Sequence, residues 1–127
     1  MQLRRICQAC TALPAGYETF PEGFIVAEKH HKIVGFIVGV KTNPNTAKIL
    51  MLAVYKHNRR KKIGTKLINQ LIEEIIKQKI KNIDLEVRTD NNNAIKFYQK
   101  HGFKITEKIT NFYQNEEDAY NMKKTII

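Results

Sequence analysis

The chain has 127 residues, 43% of them hydrophobic, which is enough for one domain with a sizeable core. Twenty-two Lys and Arg against 12 Asp and Glu leave a formal charge of +10. That charge favours an anionic partner: nucleic acid, ribosome, membrane surface or a phosphorylated cofactor. The longest apolar run, Ile33 to Val40, is far short of the ~20 residues of a membrane-spanning helix, and the opening MQLRRICQACTALPAG lacks a signal-peptide apolar stretch. A soluble, cytoplasmic protein without a membrane partner is expected.

Cys7 and Cys10 form a single C-x-x-C with no preceding strand, which reads as two thiols on a short helix and not as a redox motif or a disulfide scaffold. After PEG at Pro21 to Gly23, the stretch FIVAEKHHKIVGFIVGV reads as two strands joined by a polar turn at Lys29 to Lys32. His30 and His31 fall in that turn, and no third ligand lies nearby, so no metal is expected. A turn at Thr42 to Asn45 leads into Ala47 to Tyr55, an almost wholly apolar strand of the kind buried on both faces.

Ile63, Leu67, Ile68, Leu71, Ile72, Ile75 and Ile76 recur at the spacing of a core-facing helix that runs to about Lys79. The next strand, KNIDLEVRT, alternates Ile83, Leu85 and Val87 on one face with Asp84, Glu86 and Arg88 on the other. DNNNAIKFYQKHG follows as a short helix with Asp90 or Asn91 as N-cap and Gly102 as its left-handed stop. FKITEKITNFY and DAYNMKKTI close the chain as a hairpin around QNEE. The result is a mixed α/β fold: a helical lead-in, three strands, helix, strand, helix and two strands. No repeat or linker divides residues 1–127, so a single domain is expected.

Four cations, Arg59, Arg60, Lys61 and Lys62, crowd the start of the first long helix, with Lys66 one turn on. Each opposes the helix dipole by ~0.3 to 1 kcal/mol, an arrangement that a bound anion would relieve because a helix N-terminus presents open N–H groups. A solvated basic face is the plainer alternative.

Three segments carry a family resemblance. LAVYKHNRRKKIGTKL resembles the strand, phosphate loop and helix of the GNAT superfamily of acetyl-CoA-dependent N-acetyltransferases, with its R/Q-x-x-G-x-G/A signature. LEVRTDNNNAIKFYQKHGF resembles that superfamily's second block, and FYQNEEDAYNM its ending, in the branch that acetylates protein N-termini, including those of ribosomal proteins. The likeness runs from Phe24 to Met122.

The resemblance implies a GNAT fold, a central, mostly antiparallel mixed sheet flanked by helices, and acetyl-CoA as cosubstrate with no metal. It implies that Arg60, Lys61, Lys62, Ile63, Gly64 and Thr65 hold the pyrophosphate mainly through backbone N–H groups, with Arg59 also among the cofactor-binding residues. Leu52, Ala53 and Val54 would pair with the pantetheine arm, with the Val54 N–H stabilising an oxyanion. Asn91 would contact CoA, Glu86 would serve as general base through a water, Tyr98 as general acid, and Tyr113 and Tyr120 would line the acceptor peptide. Each residue also has an ordinary reading: core packing, N-cap, solvated strand carboxylate or packed aromatic.

Two departures stand out. Lys62 occupies the position of the loop's first glycine, and we expect right-handed backbone there because an L-residue enters positive φ at a cost. Only 23 residues precede FIVAE, so MQLRRICQACTAL is read as the remains of the first helix and the first edge strand as missing or shortened. An uncovered edge invites pairing, hence either a homodimer through that edge or a start further upstream. The leading expectation is acetyl transfer to a protein N-terminus, with ribosome association as a further expectation. Acetylation of a small amine or lysine side chain, and a non-catalytic basic module for RNA or ribosomes, are the competing readings.

Overall fold

The structure, a computed structural model, describes residues 2–5, 23–59, 62–112 and 117–126. Among these, two compact units are distinguished, Met1–Lys81 and Asn82–Ile127.

The first unit is an antiparallel sheet in the order β1 (Gln2–Arg5), β2 (Phe24–Lys29), β3 (Lys32–Asn43) and β4 (Thr46–Val54), with α1 (Ile63–Lys77) packed on one face. β2 and β3 turn through His30 and His31, both left-handed at φ 53° and 64°. The type I′ turn of a two-residue hairpin requires this of both central residues, and histidine tolerates it better than most side chains. Pro44 and Asn45 make the next turn, where Asn43 Oδ1 accepts from Asn45 N–H at 2.9 Å.

Register sets the faces of this sheet. Ile25, Ala27 and Ile37 are fully buried and share the α1 side with Gly35, Leu52 and Val54, whereas Phe24, Phe36, Met51 and Ala53 point the other way. Gly35 is required for close approach. A Cβ there would meet the Ala53 carbonyl oxygen at 2.9 Å, Leu67 Cδ1 at 3.3 Å and Ile63 Cγ2 at 3.4 Å.

The second unit is the antiparallel sheet β5 (Asn82–Arg88), β7 (Ala119–Thr125) and β6 (Lys104–Ile109), in that order, with α2 (Asn92–Lys100) between β5 and β6 in sequence. Its β5 keeps the alternation read from sequence, with Ile83, Leu85 and Val87 buried. Asn91 is the N-cap of α2, its Oδ1 accepting from Ala94 N–H at 3.2 Å, and Gly102 takes φ 91° at the helix end. Lys104, Glu107 and Lys108 keep β6 charged, and its pairing is broken by a bulge at Thr106, whose hydroxyl is held by Asn121 Nδ2 at 2.8 Å. These are ordinary ways of blunting a strand edge.

Several expectations are corrected. Residues 2–5 are strand, paired to residues 25–28 of β2, so the opening is not helical there and the first edge strand is shortened but present. The exposed β2 edge on which the homodimer expectation rested is thereby covered. β4 is not buried on both faces: Met51 is 55% exposed, and Leu52, Ala53 and Val54 are half-buried. In α1 the core position is taken by Glu74, which is buried, while Ile76 is half-exposed. Glu74 follows Leu67 and Leu71 at helical spacing, and its carboxylate is met by Gln70 Nε2 at 3.0 Å and Lys77 Nζ at 3.5 Å. Cys7 and Cys10 lie outside the described residues.

Candidate active site

The end of β4 presents backbone donors because of the phase of its ladder with β3. Tyr55 N–H donates to the Val34 carbonyl at 2.9 Å, and Val54 stands opposite Gly35. Antiparallel pairs alternate between bonded and non-bonded positions, so the N–H and C=O of Val54, and those of Leu52, are directed away from β3. The Val54 carbonyl accordingly accepts from Arg59 Nε at 3.2 Å. A bulge at Leu50, where Val38 pairs with Met51 and Gly39 with Ile49, sets this phase just ahead of the segment.

A short 3-10 turn, Lys56–Asn58, leads to α1. Lys62 adopts φ 61° and ψ 20°, which overturns the right-handed backbone expected from sequence. The lysine takes up the backbone that a glycine would adopt freely, at a cost of about 1 to 2 kcal/mol. Lys66 N–H bonds the Lys62 carbonyl at 3.0 Å, so Lys62 is the N-cap. The N–H groups of Ile63, Gly64 and Thr65 lie ahead of that first intrahelical bond. No side chain of Lys62 caps the helix, and Arg59, Lys62 and Lys66 are exposed. Arg60 and Lys61 lie outside the described residues.

In the second unit, Glu86 is half-buried on the face of β5 opposite Leu85 and Val87 and pairs with Asn121. Lys124 pairs with Ile83 and therefore leaves the sheet on the Leu85 face, where its ammonium donates to the His101 carbonyl at 2.8 Å. The C-terminal end of α2 sits on that face, and with it Tyr98, whose carbonyl accepts from His101 N–H and Phe103 N–H, each at 3.0 Å. The carboxylate and the phenol are thus presented from opposite faces of β5.

Tyr98 is 9% exposed, with Phe97 and Phe103 edge-on at 5.4 and 5.6 Å. Burial disfavours its phenolate and pushes the pKa up to about 12. Burial, with the charges of Lys100 and Lys124 nearby, pulls His101 below the usual histidine range. Tyr120 pairs with Val87, on the side away from Glu86. Tyr113 lies outside the described residues.

A polar junction at the end of β5 was not singled out from sequence. Arg88 Nη2 meets Glu117 Oε1 at 2.6 Å and Arg88 Nε meets Asp90 Oδ1 at 3.5 Å. The Asp118 carbonyl accepts from Thr89 N–H at 3.2 Å, and its carboxylate from Asn111 N–H at 3.0 Å. Glu117 and Asp118 belong to the closing segment FYQNEEDAYNM.

The profile of the Acetyltransferase (GNAT) family matches residues 6–103. The NAA20 catalytic subunit of the N-terminal acetyltransferase B complex of Arabidopsis thaliana is 32% identical over 114 residues, 84% of this chain and 64% of that protein, so the chain spans just under two-thirds of that relative. Ard1 from Thermoplasma volcanium, a crystal structure, is 39% identical with a TM-score of 0.81, covering 84% of this chain and 72% of that one. Arabidopsis thaliana Naa50, solved in complex with the bisubstrate analogue CoA-Ac-MVNAL, is 34% identical with a TM-score of 0.75, covering 82% and 73%. The profile match takes in more than half of the sequence and runs through β4, α1, β5 and α2: this chain belongs to the acetyltransferase (GNAT) family and has its mixed α/β fold.

Proposed function

We propose that this chain is an acetyl-CoA-dependent N-acetyltransferase that transfers the acetyl group directly to the α-amine of a protein or peptide N-terminus. The observation that carries the reading is the pair Glu86 and Tyr98, a half-buried carboxylate and a buried phenol presented from opposite faces of one strand. Direct transfer needs a base at the amine and an acid at the departing sulfur. Glu86 is assigned the base and Tyr98 the acid. The likeness to a catalytic subunit of the N-terminal acetyltransferase B complex, and to Naa50 in complex with the bisubstrate analogue CoA-Ac-MVNAL, supports the same acceptor.

The fit to acetyl-CoA is argued from the backbone. Outward N–H groups at Leu52 and Val54 suit the amides of the pantetheine arm, and the first turn of α1 with Arg59, Lys62 and Lys66 suits a pyrophosphate. Arg60, Lys61, Ile63, Gly64 and Thr65 complete that cradle in the proposal. Ala53 belongs to it through its backbone. The Asn91 Oδ1 is committed to capping α2, so its contact with CoA comes through the amide N–H donors.

An α-amine of pKa ~7.7 to 8.0 is mostly protonated at neutral pH. Glu86 takes its proton through a water, leaving the neutral amine to attack the thioester carbonyl carbon. The Val54 N–H faces the negative charge that develops on the carbonyl oxygen. As the carbon–sulfur bond breaks, Tyr98 hydrogen-bonds and protonates the sulfur. A phenol raised by burial to about 12 giving a proton to the thiolate of a thiol of pKa ~8.5 is uphill by about 5 kcal/mol. Burial raises the thiol as well, so transfer in step with sulfur departure narrows that gap.

Tyr113 and Tyr120 are assigned to the walls of the acceptor site, Tyr120 on the Tyr98 side. Cytoplasmic location and action on ribosomal proteins or at the ribosome are parts of the proposal. Among the described residues, no helix is long and apolar enough to cross a membrane. All of residues 1–127 act as one domain in this reading.

The test is a thermal melt with acetyl-CoA, with CoA lacking its 3′-phosphate and with RNA, followed by transfer assays on N-terminal peptides, lysine peptides and small amines. Stabilisation by acetyl-CoA, weaker without the 3′-phosphate, and transfer to α-amines are expected. Salt-sensitive RNA binding with no acetyl-CoA shift would sink the enzyme reading, and transfer to small amines alone would sink the acceptor.

A further inference from the structure

Glu86 stands in a row of side chains that crosses the second sheet from β5 through β7 to β6. Thr89 N–H donates to the Asp118 carbonyl at 3.2 Å and Arg88 pairs with Ala119. Counting back along this ladder puts Glu86 and Asn121 at a non-hydrogen-bonded position, where facing side chains approach most closely. One pair along the same face, Asp84 meets a cation, with Lys123 Nζ 3.9 Å from its Oδ1. Glu86 faces a neutral amide instead.

That amide is held from the other side. The bulge in β6 sets both Thr106 and Glu107 against Asn121, and Asn121 Nδ2 donates to Thr106 Oγ1 at 2.8 Å. Thr106 gives its one hydroxyl proton to the Asn121 carbonyl at 3.1 Å, so its oxygen can only accept from the amide. The NH2 end of Asn121 is thereby fixed towards β6, and Oδ1 and the second N–H are left for a further partner.

We infer that Asn121 is a positioning residue for the base: its amide, oriented by Thr106, holds the water through which Glu86 takes the proton of the acceptor amine. This rests on the base role proposed above for Glu86. The water accepts a proton from the ammonium as it gives one to the carboxylate, and it is regenerated in the step. Its other O–H needs an acceptor, and Asn121 Oδ1 supplies one in the row of Glu86. A cation in that register would favour the charged carboxylate and oppose its taking a proton, which an amide does not. Arg88, the cation on the same face of β5, is taken up by Glu117 and Asp90.

The experiment measures kcat, acceptor KM, acetyl-CoA affinity and melting temperature in wild type, Asn121→Ala, Thr106→Val, Thr106→Ser, Glu86→Gln and Glu86→Gln combined with Asn121→Ala. Asn121→Ala is expected to lower kcat about tenfold, with acceptor KM and acetyl-CoA affinity within about twofold. Thr106→Val keeps the shape without the hydroxyl and lowers kcat about threefold to fivefold, and Thr106→Ser restores it. In the Glu86→Gln background Asn121→Ala costs less than about twofold, because both act through one water. An unchanged kcat in Asn121→Ala, or a loss equally large with and without Glu86, overturns the inference and leaves the base reading standing. Equal losses in Thr106→Val and Thr106→Ser overturn it too, and that pair decides the matter even where Asn121→Ala lowers the melting temperature. If Glu86→Gln leaves kcat unchanged, or wild type acetylates no amine, the underlying reading fails and the inference falls with it.

Discussion

The segment from Leu52 to Lys66 and the segment from Leu85 to Gly102 solve different problems. The first works through its backbone. Its phase against β3 turns the N–H groups of Leu52 and Val54 outward, and its helix start is kept in left-handed geometry even with lysine in place of glycine. The second works through its side chains, and every local rule agrees: strict alternation in β5, a capped α2, a glycine at the helix end. In the first segment the backbone is strained at Lys62; in the second, alternation, cap and helix stop all agree with the backbone they stand on.

The sharpest break of that comparison is at the chemistry. Glu86→Gln and Tyr98→Phe should each lower kcat by about 10²- to 10⁴-fold with acetyl-CoA affinity little changed, read from steady-state kinetics and calorimetric titration. Equal losses in both parameters would make these residues structural. Next in size is the alkaline limb of stability. The Tyr98 pKa is raised in the fold, so its contribution is complete below pH ~10 and is lost as pH climbs towards about 12. Urea melts across that window should lose about 2 to 3 kcal/mol from this group, and Tyr98→Phe should lose correspondingly less.

Gly35→Ala tests the close approach of α1 to the sheet. Its Cβ would press on the Ala53 carbonyl oxygen at 2.9 Å, which cannot swing aside as a side chain can, so a loss of about 1 to 3 kcal/mol is expected in urea melts. Asn91→Ala should cost about 1 kcal/mol through its cap, with an additional fall in acetyl-CoA affinity if its amide also contacts CoA. The smallest effect is at the strained lysine. Lys62→Gly relieves about 1 to 2 kcal/mol of left-handed strain against about 0.5 to 1 kcal/mol of added backbone freedom. A net gain of about 0.5 to 1 kcal/mol should appear in melts, and an unchanged acetyl-CoA affinity would show that the Lys62 side chain does not hold the phosphates.

Legibility followed the same division. The β5 alternation, the α2 cap and stop, and the hairpin turn at His30 and His31 were readable because a few adjacent residues decide each. The lead-in was misread as helix because pairing with β2 made Gln2–Arg5 a strand, and pairing is set by the partner strand, not by the segment. β4 looked doubly buried because its residues are apolar, yet Met51 is more than half exposed. Apolarity signals what a residue can bury, not whether something lies on it.

By itself, the sequence determined the order of most elements, the core face of β5, the cation-rich helix start and the positions of Glu86 and Tyr98. These depend on spacing, and spacing is written in the chain. Only the tertiary structure decided that Lys62 takes φ 61°, that Glu74 occupies a core position, and that Asp118 joins the loop at Asn111 to the turn at Thr89. Each of these is settled by what packs or bonds against the residue from elsewhere in the chain.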